Sequence, residues 1–146
     1  MPYLFDTNNF LRLAEKNSPQ RQTVLQALRK LRAGNEIICC TPQVLAEFWN
    51  VCTRPASARG GFGLTVAQTE RKVNLIQKHF RLLPDNLVTF KEWRKLVSDY
   101  QITGVKVHDA KLVASMIAHR VQFLITFNTS DFQRFPMIMV INPKDI

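Results

Sequence analysis

The sequence predicts an α/β fold in three layers, a central, mainly parallel sheet flanked by helices. Three observations lead there. Short apolar runs alternate with amphipathic helical stretches along most of the chain. The first run, "YLF" at 3–5, passes directly into Asp6, and a late run passes into the turn-rich "FNTSDF". Capping signals precede several of the helical stretches. In parallel sheets covered on both faces, active residues gather beyond the carboxyl ends of the strands. Asp6, Asn128 and Asp131 are therefore expected along one edge.

The elements follow in order. Tyr3 to Phe5 reads as a buried strand, Asn8 to Glu15 as a short helix and Pro19 to Ala33 as a longer one. Val24, Leu25, Leu28 and Leu31 keep helical spacing, and Gly34 is a natural stop. Glu36 to Cys40 is a second strand. Thr41-Pro42 opens the next helix with a capping hydroxyl and a proline at the first position, and the helix runs to about Cys52. "TRPASARGGFG" at 53–63 is the one long irregular stretch, a functional loop or a mobile one. "TVAQ" at 65–68 and "TFKE" at 89–92 match the capping box, each opening a helix. A helix from about Val107 to Arg120, a strand from Phe123 to Thr126 and a last strand from Met139 to Ile141 complete the order.

The chain has 146 residues, 46% of them apolar, which is enough for a real core; residues 1–146 are expected to form one domain. No apolar run approaches the roughly 20 residues of a membrane span. No signal-peptide pattern is visible at the N-terminus, so the cytoplasm is the expected compartment, with no membrane partner. Cys39, Cys40 and Cys52 form no disulfide framework or zinc spacing and read as small apolar residues. Lys and Arg number 20 against 11 acids, a net charge of +9. That balance favours an anionic partner such as nucleic acid.

Three acids stand in apolar surroundings. Asp6 follows Leu4 and Phe5, Glu47 stands in "VLAEFWNV", and Asp109 stands in "VHDAKLVASMIA". Positions 109, 112, 113 and 116 share a helical face, and Val44, Glu47 and Val51 share another. Each acid has a structural alternative: Asp6 as a helix cap, Asp109 facing its own helix dipole, Glu47 paired with a buried arginine. Three isolated carboxylates in such places are costly unless paired or bound to a cation, and together they favour a shared one. Magnesium suits an all-oxygen site. On a basic protein, such a site suggests phosphodiester chemistry.

"LFDTN" at the start, "LAEFWNV" in the third helix, "VHDAKLVA" past residue 100 and "LITFNTSDF" near the end carry a resemblance covering nearly the whole chain. The sequence resembles the PIN domain family, and within it the toxin subunits of VapBC-type toxin–antitoxin systems. The resemblance implies an endoribonuclease dependent on Mg2+ or Mn2+, with one or two ions. It implies an RNA substrate (tRNA, rRNA or mRNA), products ending in a 3′-hydroxyl and a 5′-phosphate, a small antitoxin partner and a homodimer. Asp6, Glu47 and Asp109 match the family's acidic metal positions. Thr7 and Asn8 match the polar residues that orient the site, and Thr126 belongs to the supporting set. Asn128 stands where many relatives carry aspartate, and the resemblance sets it with Asp6, Glu47 and Asp109 in the catalytic group. Asp131 follows in the place of another acid, as a further metal ligand or as a cap of the turn before Phe132. Arg54 and Arg59 in the glycine-containing loop, and Lys106 and Lys111 flanking Asp109, are candidates for RNA phosphate contact.

Rival chemistries fit less well. A haloacid-dehalogenase-type phosphatase needs an aspartate at position 8, which is Asn. A response-regulator receiver needs paired acids at the first strand. The remaining alternative is a catalytically silent PIN-like domain that binds RNA or protein, for which Asn128 is the one supporting feature.

Overall fold

The computed structural model describes residues 1–146. Five strands form one sheet: β1 (Pro2–Phe5), β2 (Ile37–Cys40), β3 (Arg81–Leu82), β4 (Phe123–Ile125) and β5 (Met139–Ile141). Their spatial order is β3-β2-β1-β4-β5, and every neighbouring pair is parallel. The helices are α1 (Thr7–Ala14), α2 (Arg21–Ala33), α3 (Pro42–Thr53), α4 (Val66–His79), α5 (Leu87–Asp99) and α6 (Lys106–Ala118). None is long and apolar enough to cross a membrane.

The central strand is the first in sequence. Leu4 and Phe5 are fully buried, as are Leu124 and Ile125 beside them on β4. Phe5, Phe10 and Phe80 pack as an aromatic trio, tilted at Phe5 and edge-on between Phe10 and Phe80, with ring centroids 4.9–5.8 Å apart. Cys39, Cys40 and Cys52 are buried, unpaired and part of this core. Burial pushes the Cys40 thiol up to about 12 and that of Cys52 to about 11, so both stay protonated and inert at neutral pH.

Side chains cap four of the six helices. Thr41 accepts from the Val44 amide with Pro42 at the first position, and Thr65 with Gln68 forms a full capping box. Other boundaries differ from expectation. The second helix begins at Arg21 rather than Pro19, because Ser18 and Pro19 lie in the turn that leads into it. "TFKE" does not open α5. Asn86 caps that helix earlier, accepting from the Thr89 amide, and Thr89 is buried inside the first turn. Strand β3 has only two residues, both exposed, and so lacks the apolar signature of a strand.

The irregular stretch 53–63 is packed against the end of α3. The amides of Phe62, Gly63 and Leu64 donate to the carbonyls of Val51, Arg54 and Cys52. Gly61 is required there: a Cβ would lie 2.5 Å from the carbonyl oxygens of Arg54 and Pro55.

Candidate active site

The register places Asp6 and Thr126 side by side, each one residue beyond the paired Phe5 and Ile125. The Asp6 amide continues the ladder by donating to the Ile125 carbonyl. Asp6 is also the N-cap of α1, with Oδ1 accepting from the Thr7 amide at 2.7 Å. Its second oxygen, Oδ2, accepts from Thr126 Oγ1 at 2.8 Å. Cap and charged edge are thus one residue. The Asn128 amide donates to the same Thr126 hydroxyl at 3.1 Å, which ties the late turn to Asp6.

Thr7 carries the connection onward. Its buried hydroxyl donates to Glu47 Oε2 at 2.5 Å. Glu47 Oε1 accepts from Gln43 Nε2 at 3.1 Å, and the same amide group donates to the His108 carbonyl at 2.9 Å. Gln43 therefore couples α3 to the start of α6, one residue before Asp109. Glu47 itself is exposed, which corrects the expectation of an acid set in apolar surroundings. The buried stripe of α3 is Val44, Phe48 and Cys52, spaced by four, and Glu47 falls on its flank.

Asp109 lies in the first turn of α6, at the end of a helix whose residues 112–116 are all buried. Lys106 Nζ sits 3.7 Å from Asp109 Oδ2 and 2.9 Å from Asp131 Oδ1. Asp131 thus joins an ion pair and does not cap its turn: the 3-10 turn at Thr129–Phe132 has no side-chain cap at Asn128 and Asp131 lies within it. Asn128 is exposed.

The charges act on one another. Burial pushes the Asp6 carboxyl above the ordinary carboxylate range, with Glu47 and Asp109 adding to the rise; the bonds from Thr126 and the Thr7 amide work against it. Asp109 is also raised, mainly by burial and further by Asp131 and Glu47, against the pull of Lys106. Asp6, Glu47 and Asp109 therefore form one like-charged cluster, although no group of three acids, histidines or cysteines closes into a cage that could hold a metal.

The other basic candidates make no ion pair with Asp6, Glu47 or Asp109. Arg54 and Arg59 follow the end of α3, and seven residues of helix rise separate Arg54 from Glu47 by roughly 10 Å. The Arg54 guanidinium donates to the Arg59 carbonyl. Lys111 is held by Asp85 at 3.5 Å, and both line a groove of about 450 Å³ with Phe90, Trp93 and His108. Lys106 is engaged by the two carboxylates of Asp109 and Asp131. The Asn8 side chain makes no hydrogen bond to the cluster, whereas its neighbour Asn9, fully buried, holds the backbone beneath it: Nδ2 donates to the Ile125 carbonyl at 2.7 Å and to the Asp6 carbonyl at 3.3 Å. Asn9 and Gln43 escaped sequence reading because each looks like an ordinary polar helix residue. The one available signal was spacing: Asn9 lies three residues from Asp6 and Gln43 four from Glu47.

Solved structures share this fold. The chain is similar to one in VapBC-1 from nontypeable Haemophilus influenzae, at 18% identity over 98% of each chain and a TM-score of 0.71. It is similar to one in a toxin–antitoxin complex from Klebsiella pneumoniae, at 23% identity over 99% of each chain and a TM-score of 0.67. It is also similar to VapC20 from Mycobacterium tuberculosis, a sarcin-ricin loop cleaving toxin, at 15% identity and a TM-score of 0.61, covering 91% of this chain and 95% of that one. No curated protein matches in sequence. The sequence model of the PIN domain matches residues 3–136, a span that begins in the strand carrying Asp6 and ends beyond Asp131. With its acids gathered at the carboxyl edge of a parallel sheet in this order, the chain belongs to the PIN domain family.

Proposed function

We propose that the chain is an endoribonuclease dependent on Mg2+ or Mn2+ and the toxin of a toxin–antitoxin pair. One observation carries the reading: Asp6, Thr7 and Glu47 are wired together at the sheet edge, with Asp109 close enough to raise the Asp6 carboxyl. The family match and the toxin folds it resembles point the same way.

The donor set suits a hard cation. Asp6, Glu47 and Asp109 offer only oxygen, and the partners of Asp6 and Glu47 are neutral donors that orient their charge without cancelling it. As they stand the three do not form a metal cage, so they would have to draw together to hold the ion, which when bound would supply charge neutralisation at the phosphate and an activated water. The chain's own residues perform the positioning. Thr126 and the Thr7 amide fix both oxygens of Asp6, leaving the carboxylate one orientation. Thr7 and Gln43 do the same for Glu47. The net charge of +9 favours an RNA backbone as the partner. A small antitoxin as partner and a homodimer as the working unit belong to the same proposal.

The test uses purified protein, structured RNAs, and Mg2+ or Mn2+. Cleavage should occur and should vanish with EDTA, with Asp6→Asn and with Asp109→Asn. Equal cleavage by these variants would refute the site assignment. RNA binding without cleavage across tRNA and rRNA substrates would favour the silent binding domain instead.

A further inference from the structure

The groove between α5 and the start of α6 has a chemistry unlike that of the acidic cluster. Phe90 and Trp93 give it an aromatic wall, and His108 with the Lys111–Asp85 pair gives it a polar side. Phe90 is 55% exposed, in a surface that also leaves Leu87 and Val88 in water. Its ring lies 6.2 Å from that of Trp93, tilted by 39°. The Trp93 indole N–H donates to the Val107 carbonyl at 2.9 Å, so the inner ring is fixed and the outer one is open to solvent. The same stretch of α5 carries Lys91, Arg94 and Lys95, all exposed and none in an ion pair. The groove also adjoins the cluster. The carbonyl of His108 accepts from Gln43, which donates to Glu47 as well, and the next residue is Asp109.

We infer that this groove is a subsite for one unpaired nucleobase of an RNA strand that runs on into the acidic cluster. This rests on the RNA-cleaving reading above. A nucleobase has flat π faces and a polar edge. Phe90 and Trp93 offer the faces a stacking wall. Lys111 and Asp85 offer the edge a donor and an acceptor. Lys91, Arg94 and Lys95 supply the charge that a phosphate backbone needs. The volume of about 450 Å³ lies within the roughly 300–1,000 Å³ of small-molecule sites. A duplex keeps its bases paired and stacked, so the groove selects loops, bulges or single strands. Charge decides against a second copy as the occupant, because that copy would bring a net +9 to the unpaired cations of α5.

The test is the anisotropy of a labelled short RNA in EDTA, so that binding is read without cleavage. Wild type should bind an unstructured strand more tightly than the same strand in a duplex. Phe90→Ala should lose about tenfold in affinity for the single strand. Phe90→Leu, still apolar but without a π face, should lose a similar factor, and Phe90→Tyr should bind as wild type does. Duplex affinity should stay unchanged in all three. Thermal unfolding checks that each variant is folded; where Phe90→Ala is not, Phe90→Leu carries the same expectation. A folded Phe90→Leu that binds the strand as wild type does, or an equal loss for strand and duplex, would overturn the inference. So would a fall in the mass of Phe90→Ala to that of a single chain by light scattering, which would give the groove to a second copy. Cleavage with Mg2+ or Mn2+ is read separately. A wild type that binds single strands through Phe90 yet cuts none would remove the nuclease reading and leave the base subsite standing.

Discussion

Asp6 and Asp131 are both carboxylates at the same sheet edge, and the fold treats them differently. Asp6 is half-buried just beyond the end of the central strand and fixed by a hydroxyl and an amide. Asp131 is partly exposed on a 3-10 turn and bound to an ammonium. Neutral donors orient a charge without cancelling it, whereas a lysine cancels it and fills its place. The first arrangement leaves the charge of Asp6 opposed only by neutral donors, and the second pairs that of Asp131 with a cation.

Asp6→Asn gives the largest test of that contrast. Asparagine keeps the cap and can still bond Thr126, so the geometry survives while the charge goes. RNA cleavage should fall by about 10²–10⁴-fold in kcat/KM. The same variant should be more stable than wild type in EDTA at pH 7. The folded-state value of Asp6 lies above its ordinary range, so its ionisation opposes folding; that penalty appears as pH rises from the ordinary carboxylate range through the raised value. The gain in Tm should therefore shrink to nothing on acidification below the ordinary range. A Tm gain that persists at low pH would remove charge as its cause.

Metal addition is the next largest effect. Mn2+ at about 100 times its Kd should stabilise wild type by about 2.7 kcal/mol and leave Asp6→Asn nearly unmoved, as read by thermal unfolding. Thr126→Val removes a hydroxyl shared by Asp6 and the Asn128 amide while preserving volume. It should lower stability by about 2 kcal/mol and reduce cleavage by about tenfold. Gln43→Ala, on the exposed rim, should lower stability by about 1 kcal/mol or less and weaken cleavage only a few-fold. A Gln43→Ala effect larger than that of Thr126→Val would show that Glu47, rather than Asp6, is the better-held half of the pair.

Much of this was legible before any coordinates. The run "YLF" into Asp6 announced a central buried strand with an acid at its carboxyl end, and the register confirmed its place. Thr41-Pro42 and Thr65 with Gln68 placed two helix starts because caps are local. The signal misled at Thr89, where Asn86 three residues earlier accepted the bond first. It also misled at Glu47, where spacings of three and of four both fit a helix and only packing selects the buried face.

The sequence by itself determined the alternating architecture, the shared edge of the acids and the family, because periodicity, capping and motif order are properties of neighbouring residues. Tertiary structure alone decided what compensates each charge. That Thr126 meets Asp6 across 120 positions, and Lys106 meets Asp131 across 25, depends on which strands pair and where helices begin. A side chain's electrostatic partner is set by distance in space, to which sequence separation is no guide.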